Sequence, residues 1–256
     1  MSQLNGHTAE LERAAHGNLR ADNLNLTYVT PRSTTFAVRD VSLSVGPREF
    51  AGIVGPSGSG KSSLLYLMSG MRTATSGDVY FGPFHYSAAT ANDKLNFRRA
   101  SFGFIFQQPH LIGYLSVLEN VLVPIENPTQ TDKKRALELL DSLGIAELAP
   151  KFPNECSGGE RVRASMARGL VHRPAWLWVD EPTASLDSAT GQMVMDVLRG
   201  QTNHGALIVI THDLEILDDA DIVFRMRDGA LTETFAPHSL GPGSRRGAKE
   251  KRSEAE

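Results

Sequence analysis

The sequence predicts an α/β fold, with a parallel sheet that carries a phosphate-binding loop and an antiparallel sheet beside it. Three observations predict this. The first is Gly55-Pro56-Ser57-Gly58-Ser59-Gly60-Lys61-Ser62, which fits the phosphate-loop pattern G-x-x-x-x-G-K-[ST]. The apolar run Glu49-Phe50-Ala51-Gly52-Ile53-Val54 precedes it, and Ser63-Leu64-Leu65-Tyr66-Leu67-Met68 follows as the first turns of a helix. The second is a strand–helix–strand run. Ala175-Trp176-Leu177-Trp178-Val179 and Leu207-Ile208-Val209-Ile210 read as strands buried on both faces, with a helix from Ser188 to Arg199 between them. The third is alternation near the start, where Leu24, Leu26, Tyr28 and Val41, Leu43, Val45 mark half-buried antiparallel strands.

The remaining elements follow in chain order. Residues 1–18 are polar and aperiodic and read as a mobile tail. Thr30-Pro31-Arg32-Ser33-Thr34 has turn chemistry between the first two strands. Ser76-Gly77-Asp78 turns into the strand Val79-Tyr80-Phe81. Phe102-Gly103-Phe104-Ile105-Phe106 is a further strand, stopped near Pro109. Residues 111 to about 165 carry helical pattern, with Ala136, Leu137, Leu139, Leu140 and Leu143 on one face and Gly144 as a C-cap. In the Ser188–Arg199 helix, Met193, Val194, Val197 and Leu198 point inward. From residue 236 to 256 the chain reads as a disordered tail. Its Arg245, Arg246, Lys249, Lys251 and Arg252 suit either a solvated tail or contact with anionic lipid.

Composition sets the outer bounds. The 256 residues hold one large domain or two small ones, and 41% hydrophobic with 21% charged residues is ordinary for a globular protein. A net charge of −3 gives no global argument for nucleic acid. The single cysteine, Cys156, allows no internal disulfide. Apolar runs stay far below the ~18 residues that span a bilayer. The N-terminus has no basic stretch leading into an apolar one, so no secretory signal is expected.

The chemistry clusters at strand ends. In the phosphate loop, glycines let successive N–H groups turn toward phosphate oxygens, and the helix N-terminus adds positive potential. Lys61 reaches the β- and γ-phosphates, and the Ser62 hydroxyl is a ligand for Mg²⁺. Trp176-Leu177-Trp178-Val179-Asp180-Glu181 delivers two acids at a strand's carboxyl end. Asp180 suits Mg²⁺, held through water, and Glu181 suits a base that orients and deprotonates the attacking water. Cys156-Ser157-Gly158-Gly159-Glu160 opens a second anion-binding helix N-terminus. It duplicates the first, which makes sense if it meets a nucleotide held by another copy of the chain. Thr211-His212-Asp213 places a histidine after an apolar strand, within reach of a γ-phosphate. Gln107 follows Phe106, and its amide suits Mg²⁺ or the lytic water; by proximity alone Gln108 serves equally.

In the order phosphate loop, Gln107, Ser157-Gly158-Gly159-Glu160, Asp180-Glu181, Ser185-Leu186-Asp187 and His212, these features resemble the ATP-binding-cassette (ABC) ATPases, over roughly residues 19–235. The resemblance implies a P-loop NTPase with a RecA-like mixed-sheet core, an antiparallel β subdomain and an inserted helical subdomain near 107–165. It implies ATP and Mg²⁺ as ligands. Tyr28 corresponds to the aromatic that stacks on adenine, and Gly55, Pro56, Ser57, Gly58, Ser59, Gly60, Lys61, Ser62 and Ser63 to the phosphate loop and its hydroxyls. Ser157, Gly158, Gly159 and Glu160 correspond to the signature motif, Asp187 to the loop that crosses a dimer interface, and His212 to the switch histidine. Ser62, Gln107 and Asp180 are the implied metal ligands, and Glu181, His212, Gln107 and Lys61 the implied catalytic groups. The implied working unit is a head-to-tail homodimer with two ATP molecules between the copies. It would act at the cytoplasmic face of a bacterial membrane on integral permease subunits of separate chains, with no nucleic acid partner.

Phe102-Gly103-Phe104-Ile105-Phe106-Gln107, Leu118-Glu119-Asn120-Val121 and Glu160-Arg161 resemble one branch, that of the lipoprotein-release, macrolide-export and haem-export ATPases and the cell-division ATPase. An export-type transporter subunit is the leading expectation. The alternative is a regulatory ATPase that transmits force to a cell-division or cell-wall complex. The chain departs from the family pattern at Cys156, where leucine is usual: a small apolar filler, or a redox-sensitive thiol. It departs also at Ser63, at Val162, and at Trp176 and Trp178, which need room in the core.

Overall fold

A computed structural model of the chain describes residues 11, 13–30 and 33–237. Readings that fall on residues 1–10, 12, 31–32 and 238–256, the basic cluster among them, lie outside the described residues.

Two sheets form the frame. Strands β1 (Leu19–Thr30), β2 (Ser33–Val45), β4 (Ser76–Phe81) and β5 (Phe84–His85) make an antiparallel sheet in the order β2-β1-β4-β5. The second sheet has six strands, ordered β10-β9-β3-β8-β7-β6. Of these, β3 (Phe50–Val54), β6 (Phe102–Ile105), β7 (Trp176–Asp180), β8 (Ala206–Thr211) and β9 (Ile222–Arg227) run parallel, and β10 (Ala230–Phe235) closes the edge antiparallel to β9. Strands β3, β7 and β8 are buried at every position, as continuous apolar runs require.

Period-two alternation sorts these strands between two cores. Trp176, Trp178, Ile208 and Ile210 join the core shared with the antiparallel sheet and helix α1 (Lys61–Met68). Leu177, Val179, Leu207 and Val209 join the core on the opposite face. That face is covered by helices α3 (Val117–Leu122), α4 (Gln130–Ser142), α5 (Gly158–Leu170) and α6 (Ser188–Arg199), while α2 (Ala91–Ser101) leads into β6. The two tryptophans find their room among aromatic rings. Trp176 meets Phe81 edge-on at 5.3 Å, and Trp178 meets Phe102 at 5.5 Å.

Helix α4 ends as its sequence predicts. Gly144 adopts a left-handed φ of 65°, and Ile145 N–H closes back on Leu140 O at 2.9 Å. Helix α5 lies almost backbone to backbone on β6. A side chain at Gly103 would come within 2.2 Å of Gly169 O, so glycine here sets the distance between helix and strand.

Four expectations differ from the structure. Ser76-Gly77-Asp78, read as a turn, is the first half of β4, because Ser76 and Asp78 pair with Asn25 and Asp22 of β1. Ala14 and Ala15 are buried, and the Trp176 indole N–H donates to Ala15 O at 2.8 Å, so the packed chain begins within the stretch read as a tail. The preceding chain thus supplies the acceptor for the buried Trp176 indole N–H, whereas that of Trp178 is buried without one. Leu137, placed on the inward face of α4, is exposed, while Ala136, Leu140 and Leu143 are buried. In α6, Met195 is buried beside the expected Val194 and Leu198.

Candidate functional site

The phosphate loop is shaped by what glycine lacks. Gly60, the N-cap of α1, has a left-handed φ of 99°, and a Cβ there would sit 2.1 Å from Ala37 O. A Cβ on Gly55 would sit 2.2 Å from Met226 O. The loop is thus pressed against β2 and β9. No side chain caps α1, and its first turn holds no acid, so its leading amides keep their positive potential. The Lys61 ammonium folds back across the loop, donating to Gly55 O at 2.8 Å and Pro56 O at 3.1 Å. Pro56, Ser57 and Gly58 are exposed, Ser62 and Ser63 half-buried, and Ser59 buried. The Ser59 hydroxyl is buried without a hydrogen-bond partner.

The acids stand at the end of β7. Asp180 is buried, with the Ser62 hydroxyl beside it. Burial, and then the neighbouring Glu181 carboxylate, push the Asp180 carboxyl above its ordinary range, against the lowering effect of Ser62 and Lys61. Glu181 has a left-handed φ of 51°, and its N–H donates to Ile210 O at 2.9 Å. This turn carries its carboxylate toward the end of β8. There both oxygens lie 3.0 Å from His212 Nδ1, and the Thr211 hydroxyl donates to one at 3.4 Å. The Glu181 side chain is 15% exposed and that of His212 67%. The imidazole therefore reaches into open space while one nitrogen steadies the acid.

Lys61, Ser62, Asp180, Glu181 and His212 are thus neighbours in one place, with Glu181 and His212 bonded to each other. Gln107 and Gln108 are both exposed just beyond β6, and the alternative between them stays open. Tyr28 is exposed on β1, and the Arg72 guanidinium lies over its ring at 4.9 Å. That pair is invisible in sequence, since nothing about Arg72 signals its neighbour.

The second helix N-terminus stands apart. Ser157 caps α5: Glu160 N–H donates to Ser157 Oγ at 3.3 Å, and Ser157 N–H donates to the Glu160 carboxylate at 2.6 Å. These hydrogen bonds hold the Glu160 carboxyl below its usual range. A Cβ on Gly158 would meet open space, and one on Gly159 would touch Leu186 at 3.4 Å. Asp187 caps α6, accepting from Thr190 N at 3.0 Å. Among the described residues, no hydrogen bond or ion pair joins Ser157, Gly158 or Gly159 to Lys61, Ser62, Asp180 or Glu181. Cys156 is buried in the α3–α6 core, and burial together with Glu160 pushes its thiol up. It has neither the exposure nor the acidity that redox chemistry needs, so it fills space.

Comparison with known proteins identifies the family and the fold. The sequence model of the ABC transporter family matches residues 38–184, more than half of the 256 residues. The chain is 37% identical over 219 residues to an uncharacterized ABC transporter ATP-binding protein, MJ1508, of Methanocaldococcus jannaschii, covering 84% of this chain and 98% of that protein. It is 38% identical over 218 residues to the lipoprotein-releasing system ATP-binding protein LolD 1 of Rhodopirellula baltica, covering 83% and 95%. Its fold matches the ATP-binding cassette MJ0796, solved as a dimer in a post-hydrolysis state bound to ADP and Pi, with a TM-score of 0.81 and 31% identity over 86% of this chain and 98% of that one. It also matches cbiO1 from Clostridium perfringens, part of the ABC transporter complex cbiONQ, with a TM-score of 0.75 and 27% identity over 93% and 95%. The chain belongs to the ABC transporter family, as an ATP-binding subunit that hydrolyses ATP.

Proposed function

We propose that this chain powers an export-type membrane transporter, two copies closing head to tail on two MgATP at the cytoplasmic face of a bacterial membrane. The observation that carries the reading is the Glu181 carboxylate, clamped by His212 and Thr211 beside the Asp180–Ser62 pair. In this reading Glu181 orients the attacking water and accepts its proton. His212, steadied at Nδ1, offers its other ring nitrogen to the γ-phosphate. Lys61 exchanges the carbonyls of Gly55 and Pro56 for phosphate oxygens, and Gln107 completes the site from its exposed loop. Tyr28 receives the adenine. Ser157, Gly158 and Gly159 meet the γ-phosphate held by the other copy, with Asp187 at the join.

Magnesium suits the donors present. The Ser62 hydroxyl and Asp180 carboxylate are hard oxygen ligands, and Gln107 adds an amide oxygen. Among the described residues no cluster of three or more His, Cys, Asp or Glu could hold a metal by itself, so phosphates and water would complete the shell. When bound, Mg²⁺ would neutralise charge on the transferring phosphoryl group.

Supporting the transporter assignment, the R. baltica relative is a lipoprotein-releasing ATP-binding protein, the MJ0796 cassette is a dimer, and cbiO1 is part of a transporter complex. No helix among the described residues is long and apolar enough to cross a membrane, which suits a permease on separate chains. Tyr114, Val123, Leu137 and Phe152 expose apolar surface in the 107–165 region, where that partner would dock.

The test is Glu181→Gln with saturating MgATP. A stable dimer on size exclusion supports the reading, and a monomeric profile contradicts it. Recovery of an integral membrane protein with that variant from solubilised native membranes would identify the transporter. Recovery of soluble partners alone would remove the membrane assignment.

A further inference from the structure

The loop that starts at Gln107 is not left loose. It leaves β6 at Ile105, runs through Phe106 and the exposed Gln107 and Gln108, and reaches Pro109 and His110. There Arg168 of α5 takes hold. Its guanidinium donates to Pro109 O at 2.7 Å and to His110 O at 2.8 Å. His110 stands at a left-handed φ of 44°, and its ring meets Phe106 edge-on at 5.7 Å. The turn therefore presents two successive carbonyls to one planar fork. Each carbonyl takes its own nitrogen of the fork, a pairing that the single nitrogen of lysine does not reproduce.

Further along, Asn120 of α3 fixes the same loop. Asn120 is fully buried, accepts from Ile112 N–H at 2.7 Å, and donates to the carbonyls of Ile112, Leu115 and Ser116, each at 3.0 Å. Arg168 is also the neighbour of Gly169, where α5 lies against β6. The helix that begins at Ser157 thus grips, three turns later, the loop that presents Gln107.

We propose that Arg168 is a positioning residue for ATP hydrolysis, holding Pro109 and His110 on α5 so that Gln107 and the Ser157-Gly158-Gly159 helix start move as one body. The proposal rests on the roles given to Gln107 and Ser157 above. Movement of either group on nucleotide binding is then felt by the other through two hydrogen bonds, without contact between the two sites in one copy.

Two measurements on Arg168→Lys test it. In the nucleotide-free protein, amide hydrogen exchange across 107–112 should speed up by about tenfold, while 50–61 keep their rates. Unchanged exchange at 107–112 would overturn the proposal whatever the activity. In turnover at saturating MgATP, kcat should fall by about tenfold with KM changed less than about twofold. In a Gln107→Ala background the same substitution should lower kcat by less than about twofold, because the loop's working group is already gone. An equal loss in both backgrounds would make Arg168 a support of the fold alone and would overturn the proposal. Should the unmodified protein hydrolyse no ATP, the functional reading falls, and the exchange result alone decides the coupling.

Discussion

Helices α1 and α5 both begin at glycine-rich turns, yet they solve the problem of unpaired N-terminal amides in opposite ways. Helix α1 has a left-handed glycine as N-cap, no side-chain cap, no acid in its first turn, and a buried lysine. Helix α5 has a serine N-cap in a reciprocal capping box, with Glu160 in its first turn. The first leaves its amides for an external anion, and the second satisfies part of its own demand. Only the first site stands ready in a single copy. The α1 start lies beside Asp180, Glu181 and His212, whereas the α5 start is capped in part by its own side chains and opens at Gly158 to free space.

The largest expected effect breaks the α1 side alone. Glu181→Gln should lower kcat by about 10²–10⁴-fold, measured by phosphate release, with ATP affinity retained. Residual turnover near that of the unmodified protein would remove Glu181 as the base. Next come the two glycines. Gly60→Ala forces a side chain into a left-handed backbone and against Ala37 O, and should cost at least about 1–3 kcal/mol in urea unfolding. Gly158→Ala should stay within about 0.5 kcal/mol, since its Cβ meets nothing. Equal losses at the two positions would erase the contrast between the loops. Ser157→Ala should cost about 1 kcal/mol through the lost cap, a fall of about 2–4 °C in melting temperature.

One further effect has a pH signature. The folded-state carboxyl of Asp180 is raised by burial above the ordinary value of 3.8, so the native state holds this proton more tightly than the unfolded chain. The stability this gives is present below the ordinary value and is lost as pH rises through the raised one. Asp180→Asn should therefore raise the melting temperature of the nucleotide-free protein at pH 7 by a few degrees, with the gain vanishing toward pH 3.8. A gain independent of pH would assign the effect to packing instead.

Much of this arrangement is legible in the chain because local patterns encode it. The phosphate loop announces itself through spacing, and the Ser188–Arg199 helix appears with the bounds its periodicity predicts. Other parts are hidden for a physical reason. Arg168 bonds to backbone carbonyls of Pro109 and His110, and Trp176 to that of Ala15, over separations of 58 residues and more. Every residue carries a carbonyl, so nothing in the sequence marks which one a distant donor will choose. For the same reason a polar, aperiodic start gives no sign that Ala14 and Ala15 pack inside. Leu137 sits at the edge of the apolar stripe of α4, where a small rotation of the helix decides between core and solvent.

Sharing of each ATP between α1 of one copy and α5 of the other can be read from a mixture of two inactive variants. Lys61→Ala disables the first anion site, and Gly158→Asp sets a carboxylate at the second without crowding the fold. In a mixed dimer, one of the two sites would combine an intact Lys61 with an intact Gly158. Turnover in an equimolar mixture should then rise to as much as about a quarter of the unmodified rate, since half the dimers are mixed and each holds one intact site of two. A rate no higher than the sum of the separate variants would place both helix starts in a single copy's site and contradict the account.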